Sequence, residues 1–320
     1  HIGVNFTSAE LTMQLDDFAE RVLKPRVSQL ASSVDADVAS VYKSIYNAVG
    51  TPGTTPATSL VLLQAQQKLN EFATPMSPRY ATVNPAANAG LVEGLKGLFN
   101  PTGTISRQFK NGMMGEGVLG LDEINMSQSI VQHTTGVTPT LPIVATTVST
   151  QGSTSLAISF TSGSPTFKIG DVFTIGSVFA VNPQTRQTTG SLQQFVVTAD
   201  VNVSSTTTAT LTVQPPIYTA TNALATVDSF PAASAVLTFL GGSATAYPQN
   251  LIYHKDAITF ATADLLLPQG VDMASRQVHN GISMRIVRQY DINNDRLPCR
   301  IDVLYGFSAI RPQMACRLWG

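Results

Sequence analysis

GISMRIVRQYDINNDRLPCRIDVLYGFSAIRPQMACRLWG, residues 281–320, is the stretch whose reading decides the fold of this chain. Ile282, Met284 and Ile286 alternate with polar or mixed positions, the two-residue period of a strand with one buried face. Asn293-Asn294-Asp295 then supplies turn residues, and Ile301, Val303 and Tyr305 alternate on the return. The run predicts a long antiparallel pair. Between Arg276 and Arg317 stand seven arginines and no lysine. Arginine forks suit bidentate pairing with carboxylates, or contact with phosphate. Asp272, Asp291, Asp295 and Asp302 share the region, which favours pairing, within or between subunits.

Upstream, 138–246 carries little helix signal and little charge. Segments 156–160, 172–181, 195–203 and 209–213 are rich in Val, Ile, Phe and Thr and are separated by Gly, Ser, Asn and Pro. Short strands at such spacing predict a small barrel or sandwich, an all-β module inside the chain. The N-terminal part reads differently. Residues 1–8 read as the end of a strand, and a helix is expected over 10–23. Val27, Leu30, Val34, Val38, Val41, Tyr42, Ile45 and Val49 then recur at three- and four-residue steps. They predict a helix over 25–49, about 37 Å long at ~1.5 Å per residue, ended by Gly50 and Pro52. Further helices are expected over 59–72 and 86–98 with a strand over 80–83 between them, and 100–137 reads as irregular and Gly-rich. Helices, a β insertion and then strands make an α+β chain.

Charged residues are 12% of the 320, about half the usual share of roughly a quarter. A surface poor in charge fits a chain that buries surface against copies of itself, and equally a monomeric β-rich protein. The net charge of −1 and a pI near 6.5 argue against a direct grip on nucleic acid. Cys299 and Cys316 show no CxxC spacing, which speaks against a zinc site or a disulfide framework and suits a reducing compartment. No apolar run approaches ~18 residues, so no transmembrane helix is expected. The chain opens on His1 without a leader pattern or an initiator Met, and residues upstream of it are expected.

Motifs that carry chemistry are missing. There is no G-x-S-x-G, and Gly112-Met-Met-Gly115-Glu116-Gly117 has no Lys-Ser/Thr pair after it, so it reads as a loop rather than a phosphate cradle. His133, His254 and His279 are scattered without metal-ligand spacing and read as structural or surface residues. Asp16 and Asp17 lie near a helix start, where they favour its dipole. No catalytic, cofactor or metal residue is nominated.

The closing run also resembles a known family. Gly281-Ile-Ser, Arg285, Tyr290-Asp291-Ile292, Arg300-Ile-Asp302-Val-Leu-Tyr-Gly306 and Arg311-Pro312 are similar to the C-terminal signature of the coat proteins of short-tailed phages typified by Salmonella phage P22. VNPAANAGLVEGLKGLFNPTGTISRQFKNGMMGEGVLGLDE (83–123) resembles that family's strand, Asn-Pro turn, helix and Gly-rich loop, and FKIGDVFTIG (167–176) is a third match. The resemblance implies the Hong Kong 97 capsid fold. In that fold 25–49 is the spine helix of a peripheral domain. Residues 1–137 supply that helix and the first part of an axial domain, 138–246 is an inserted β-barrel domain, and 247–320 returns strands to both. It implies a non-enzymatic virion protein, built in the host bacterial cytoplasm, that assembles with itself as pentamers and hexamers of an icosahedral capsid. Implied partners are a scaffolding protein, a portal protein, packaged double-stranded DNA without sequence-specific contact, and in some capsids a decoration protein; no membrane and no cofactor are implied. Arg285, Arg288, Asp291, Arg300, Asp302 and Arg311 become candidates for an assembly interface. The family's N-terminal arm and extended loop are expected before His1. The connection Ser149-Thr-Gln-Gly152-Ser-Thr-Ser155 is short where relatives can carry a long charged loop. A β-rich tail or host-surface-binding component is the rival reading, favoured by the Thr/Ser-rich module and disfavoured by the amphipathic helix.

Overall fold

A computed structural model describes residues 1–7, 24–94, 115–204, 206–279 and 281–320. The helix expected over 10–23, with Asp16 and Asp17, lies outside the described residues, as do the end of the helix at 95–98 and most of the Gly-rich loop. The chain divides into two compact units. One comprises His1–Val38 and Thr259–Ser308, the other Ala39–Ile258 and Ala309–Gly320.

The first unit is an antiparallel sheet with one helix. Its elements are β1 (Ile2–Thr7), α1 (Lys24–Ala39, which runs one residue past the unit boundary), β17 (Ile258–Ala263), β18 (Met273–His279), β19 (Ile282–Arg288) and β20 (Arg296–Ala309). The sheet order is β1-β20-β19-β18, and β17 also pairs with β20. Met284 faces Val303 and Ile286 faces Ile301, the pairing that the two alternating runs predict.

The second unit holds a mixed sheet and a barrel. Chain order gives β2 (Ala48–Val49), α2 (Ser59–Glu71), β3 (Arg79–Val83), α3 (Pro85–Gly94), β4 (Gly115–Val118), β5 (Leu121–Met126) and β6 (Gln132–Thr134). The barrel region follows with β7 (Ile143–Val144), β8 (Ser153–Ser159), β9 (Thr166–Phe167), β10 (Val172–Val181), β11 (Thr188–Val197), β12 (Val201–Asn202), β13 (Thr208–Ile217) and β14 (Leu237–Phe239). β15 (Ala246–Pro248), β16 (Asn250–His254) and β21 (Ala315–Leu318) complete the unit. The mixed sheet runs β2-β21-β16-β3-β5-β4. Leu62 and Leu69 of α2, Leu91 of α3, and Val83, Ile124, Ile252 and Leu318 of the sheet form one buried cluster.

The second sheet runs β14-β10-β11-β13-β8-β7. Its ends meet. Ile143 bridges Val236, Val144 N–H donates to the Ala235 carbonyl at 2.9 Å, and Leu237 N–H to that of Pro142 at 2.9 Å. Closure removes open edges and lets the alternate side chains fill the interior. Phe173 sits at its centre, fully buried, with ring centroids of Phe195 and Phe239 at 5.8 and 5.2 Å. Of the barrel and the sandwich left open by the strand spacing, the barrel is observed.

Two expectations need correction. The helix expected over 25–49 ends at Ala39, passes through a tight helical turn (Ser40–Ser44) and becomes extended before β2. Beyond Ala39 the periodic positions Val41, Tyr42 and Ile45 are buried, and the segment is held by distant chain: Asn47 donates its side-chain amide to the carbonyls of Gln313 and Ala315, and β2 pairs in parallel with β21. Those partners outbid helix propensity, which is worth only fractions of a kcal/mol per residue. Segment 100–137 is not uniformly irregular either. Leu121–Met126 is a strand parallel to β3, buried at Leu121 and Ile124. Gly50 marks the end of β2 with φ +92°, and a Cβ there would run into the Trp319 carbonyl.

Candidate assembly surface

The interface candidates lie mainly on β19, β20 and their connection, and the structure pairs most of them inside the chain. Arg285 and Asp302 are directly opposite in the ladder. The Arg285 guanidinium donates to Asp302 Oδ2 at 2.5 Å, and Arg300 Nε donates to Oδ1 at 2.5 Å. Asp302 is 3% exposed. Burial pushes its carboxyl upward, but the hydrogen bonds from Arg285 and Arg300 outweigh this and hold it below the ordinary value. Arg288 donates through Nε to Asp272 at 2.8 Å. Asp291 caps its own turn by accepting from the Asn293 backbone and the Asn294 side chain, which lowers its pKa. Arg311 belongs to the second unit. Its backbone N–H donates to the Ala257 carbonyl and its side chain is exposed. Tyr305, on the same strand as Asp302, donates its hydroxyl to Asp37 of α1 at 2.8 Å.

A second polar cluster, in the other unit, carries residues that sequence reasoning left unassigned. Arg317 on β21 is 1% exposed, and its guanidinium donates to the carbonyls of Gly170 at 2.7 Å and Tyr42 at 2.6 Å. It also lies 5.1 Å from the Tyr42 ring. Burial lowers its pKa to about 10. The Tyr42 hydroxyl meets His133 Nδ1 at 3.1 Å, and His133 Nε2 meets Asp171 at 2.8 Å. A proton on Nε2 satisfies both contacts. Asp171 also accepts from the backbone of Gly136 and Lys168. Apart from Arg317 Nε, which is buried without a partner, the polar groups named here have fixed neighbours, so the cluster joins barrel to mixed sheet as structure. The reading of His133 as a structural histidine agrees with this geometry. Among the described residues no group of three His, Cys, Asp or Glu is arranged to hold a metal, and no helix is long and apolar enough to cross a membrane.

Apolar burial is uneven. All three clusters of buried apolar side chains found among the described residues lie in the second unit. The first unit exposes Leu266, Ile292, Val278 and Leu304, the first two at 86% and 80%, and the second exposes Met76, Leu141 and Leu224.

Comparison with solved structures returned a chain of Mycobacterium phage Che8, 11% identical with a TM-score of 0.45, the match covering 99% of this chain and 69% of that one. It also returned a chain of the capsid structure of cyanophage P-SCSP1u, 12% identical with a TM-score of 0.43, covering 99% and 70%. No curated protein sequence matched. The family model described as P22 coat protein, gene protein 5, matches residues 1–320. This chain belongs to the P22 coat protein family. As a coat protein it is a structural component of a bacteriophage capsid and not an enzyme.

Proposed function

We propose that copies of this chain assemble as pentamers and hexamers into an icosahedral shell enclosing double-stranded DNA, with the subunit core in the Hong Kong 97 arrangement. The family match over residues 1–320 carries the reading. The first unit supports it: a sheet and one helix with little buried apolar interior gain most by covering exposed leucines against neighbours. Segment 138–246 acts as an inserted barrel domain between 1–137 and 247–320, a rigid module held to the subunit core. Asp291, Arg300, Arg311 and their paired neighbours lie at the contacts between copies. A net charge of −1 suits a container that encloses DNA without sequence-specific contact. A scaffolding protein guides assembly in the host cytoplasm, a portal protein occupies one vertex, and decoration proteins bind outside where a phage has them. Electron microscopy of the full-length protein expressed with its scaffold tests the proposal. Closed shells are expected; a persistent soluble monomer would refute it.

A further inference from the structure

Two apolar features of the first unit are complementary and do not satisfy each other. The first is the loop 264–272 between β17 and β18. Three arginines of the sheet hold it: Arg276 donates to the Leu265 carbonyl at 3.2 Å, Arg285 to the Leu266 carbonyl at 2.5 Å, and Arg288 to Asp272 at 2.8 Å. The backbone is thus anchored through its carbonyls while the Leu266 side chain stays 86% exposed and that of Leu267 44%. An exposed leucine on an anchored backbone loses little conformational freedom on docking. The second feature is a groove between α1 and the sheet, with a volume of about 270 Å³. Leu30, Val34 and Val38 line it from the helix and Phe260, Met284 and Val303 from the sheet. That space equals about nine waters at ~30 Å³ each, room for two leucine side chains.

We propose that the Leu266-Leu267 tip of one copy inserts into the α1 groove of a second copy. The exposure of Leu266 shows that the loop does not fill the groove of its own chain. Knob and hole are different patches of one subunit, so the contact is heterologous and runs head to tail, the kind that closes a ring when the rotation permits. The inference rests on the shell-subunit reading above.

The test mixes two single variants, Leu266→Cys and Ala31→Cys, Ala31 being an exposed residue of the groove wall. The native Cys299 and Cys316 are buried and give a low thiol background. Under mild oxidation, particles assembled from the mixture should contain a disulfide dimer that neither variant forms alone. Leu266→Ser should raise the concentration needed for assembly about tenfold, the effect of losing one buried leucine. Particles without that mixed dimer, or Leu266→Ser assembling at the wild-type concentration, would overturn the contact. A crosslink within a single unassembled chain of the double variant would overturn it too, by placing the tip in its own groove. If the wild type forms no particles at all, the shell-subunit reading fails first and this contact with it.

Discussion

Replacing Asp302 by Asn removes the carboxylate that joins β20 to β19 through Arg285 and that also holds Arg300 of its own strand. The size of the effect follows from how each pair is exposed. The side chain of Arg300 is 57% exposed, so its bond to Asp302 resembles a surface pair, worth about 0–1 kcal/mol. The side chain of Arg285 is 18% exposed and that of Asp302 is 5% exposed. Breaking a fully buried pair costs ~3–5 kcal/mol, because the remaining charge is stranded. Asn keeps one acceptor oxygen, and Arg285 keeps the Leu266 carbonyl. Partial exposure and these substitutes reduce the expected loss to about 2 kcal/mol. The effect must also depend on pH. The folded pKa of Asp302 lies below its ordinary 3.8, so the stabilisation is fully present above about pH 3.8 and is lost as pH falls through the folded value. Wild type and variant should differ at neutral pH and converge in acid. Urea unfolding of unassembled subunits, with hydrogen exchange at β19 and β20, reads both effects. A variant within about 0.5 kcal/mol of wild type at neutral pH, or a gap unchanged in acid, would falsify the account of this pair.

Other expectations follow from the second unit and from the glycines. Arg317→Met strands the carbonyls of Gly170 and Tyr42 and should lower the stability of the unassembled subunit by about 2–4 kcal/mol; an unchanged urea midpoint would count against its bridging role. Phe173→Ala opens a cavity between Phe195 and Phe239 and should cost ~3–5 kcal/mol, read as early loss of protected amides in β10 and β11. Gly136→Ala drives a Cβ into the Thr166 carbonyl and should give insoluble or poorly folded subunits, whereas Gly306→Ala meets nothing within 4 Å and should leave thermal stability near wild type. Reversal of that order in a thermal melt would show that the packing at 136 is misread.

What was legible in the sequence is what local pattern encodes. Val172–Val181 was expected at those bounds, because its run of Val, Phe and Ile admits a strand and Gly, Ser and Pro surround it. The antiparallel pairing of β19 with β20 followed from two alternating runs joined by an Asn-rich turn, and the structure adds its register, Met284 opposite Val303. The end of α1 was not legible. Val41, Tyr42, Ile45 and Val49 continue a helical period, and the contacts that break it reach Asn47 from 266 and 268 residues away. β5 was hidden because Leu121 and Ile124 are its only buried apolar positions and are three apart, which is no strand period. Among candidate residues, the shared run of arginines and aspartates pointed to pairing in this region, within or between subunits, but not to the partners, which are Asp302 for Arg285 and Arg300 and Asp272 for Arg288. It could not find Arg317, whose two partners lie 147 and 275 residues away. Nor could it find the pairing of His133 with Asp171, because no spacing rule links a histidine on β6 to an aspartate just ahead of β10.

The barrel strands lie between two short segments, β6 and β15, that pair antiparallel with Tyr247 opposite His133. The chain therefore leaves for the barrel and returns from it through a two-stranded ribbon of its own, whose opposed Cα atoms in such a ladder are about 4.5–5.5 Å apart. Excising everything beyond that ribbon would leave ends close enough to be rejoined by a two-residue hairpin. The same ribbon makes a natural graft point. A foreign domain with neighbouring termini could be spliced there and carried by every copy of the subunit, provided that it replaced the partners that Arg317 and Ala48 find in the barrel.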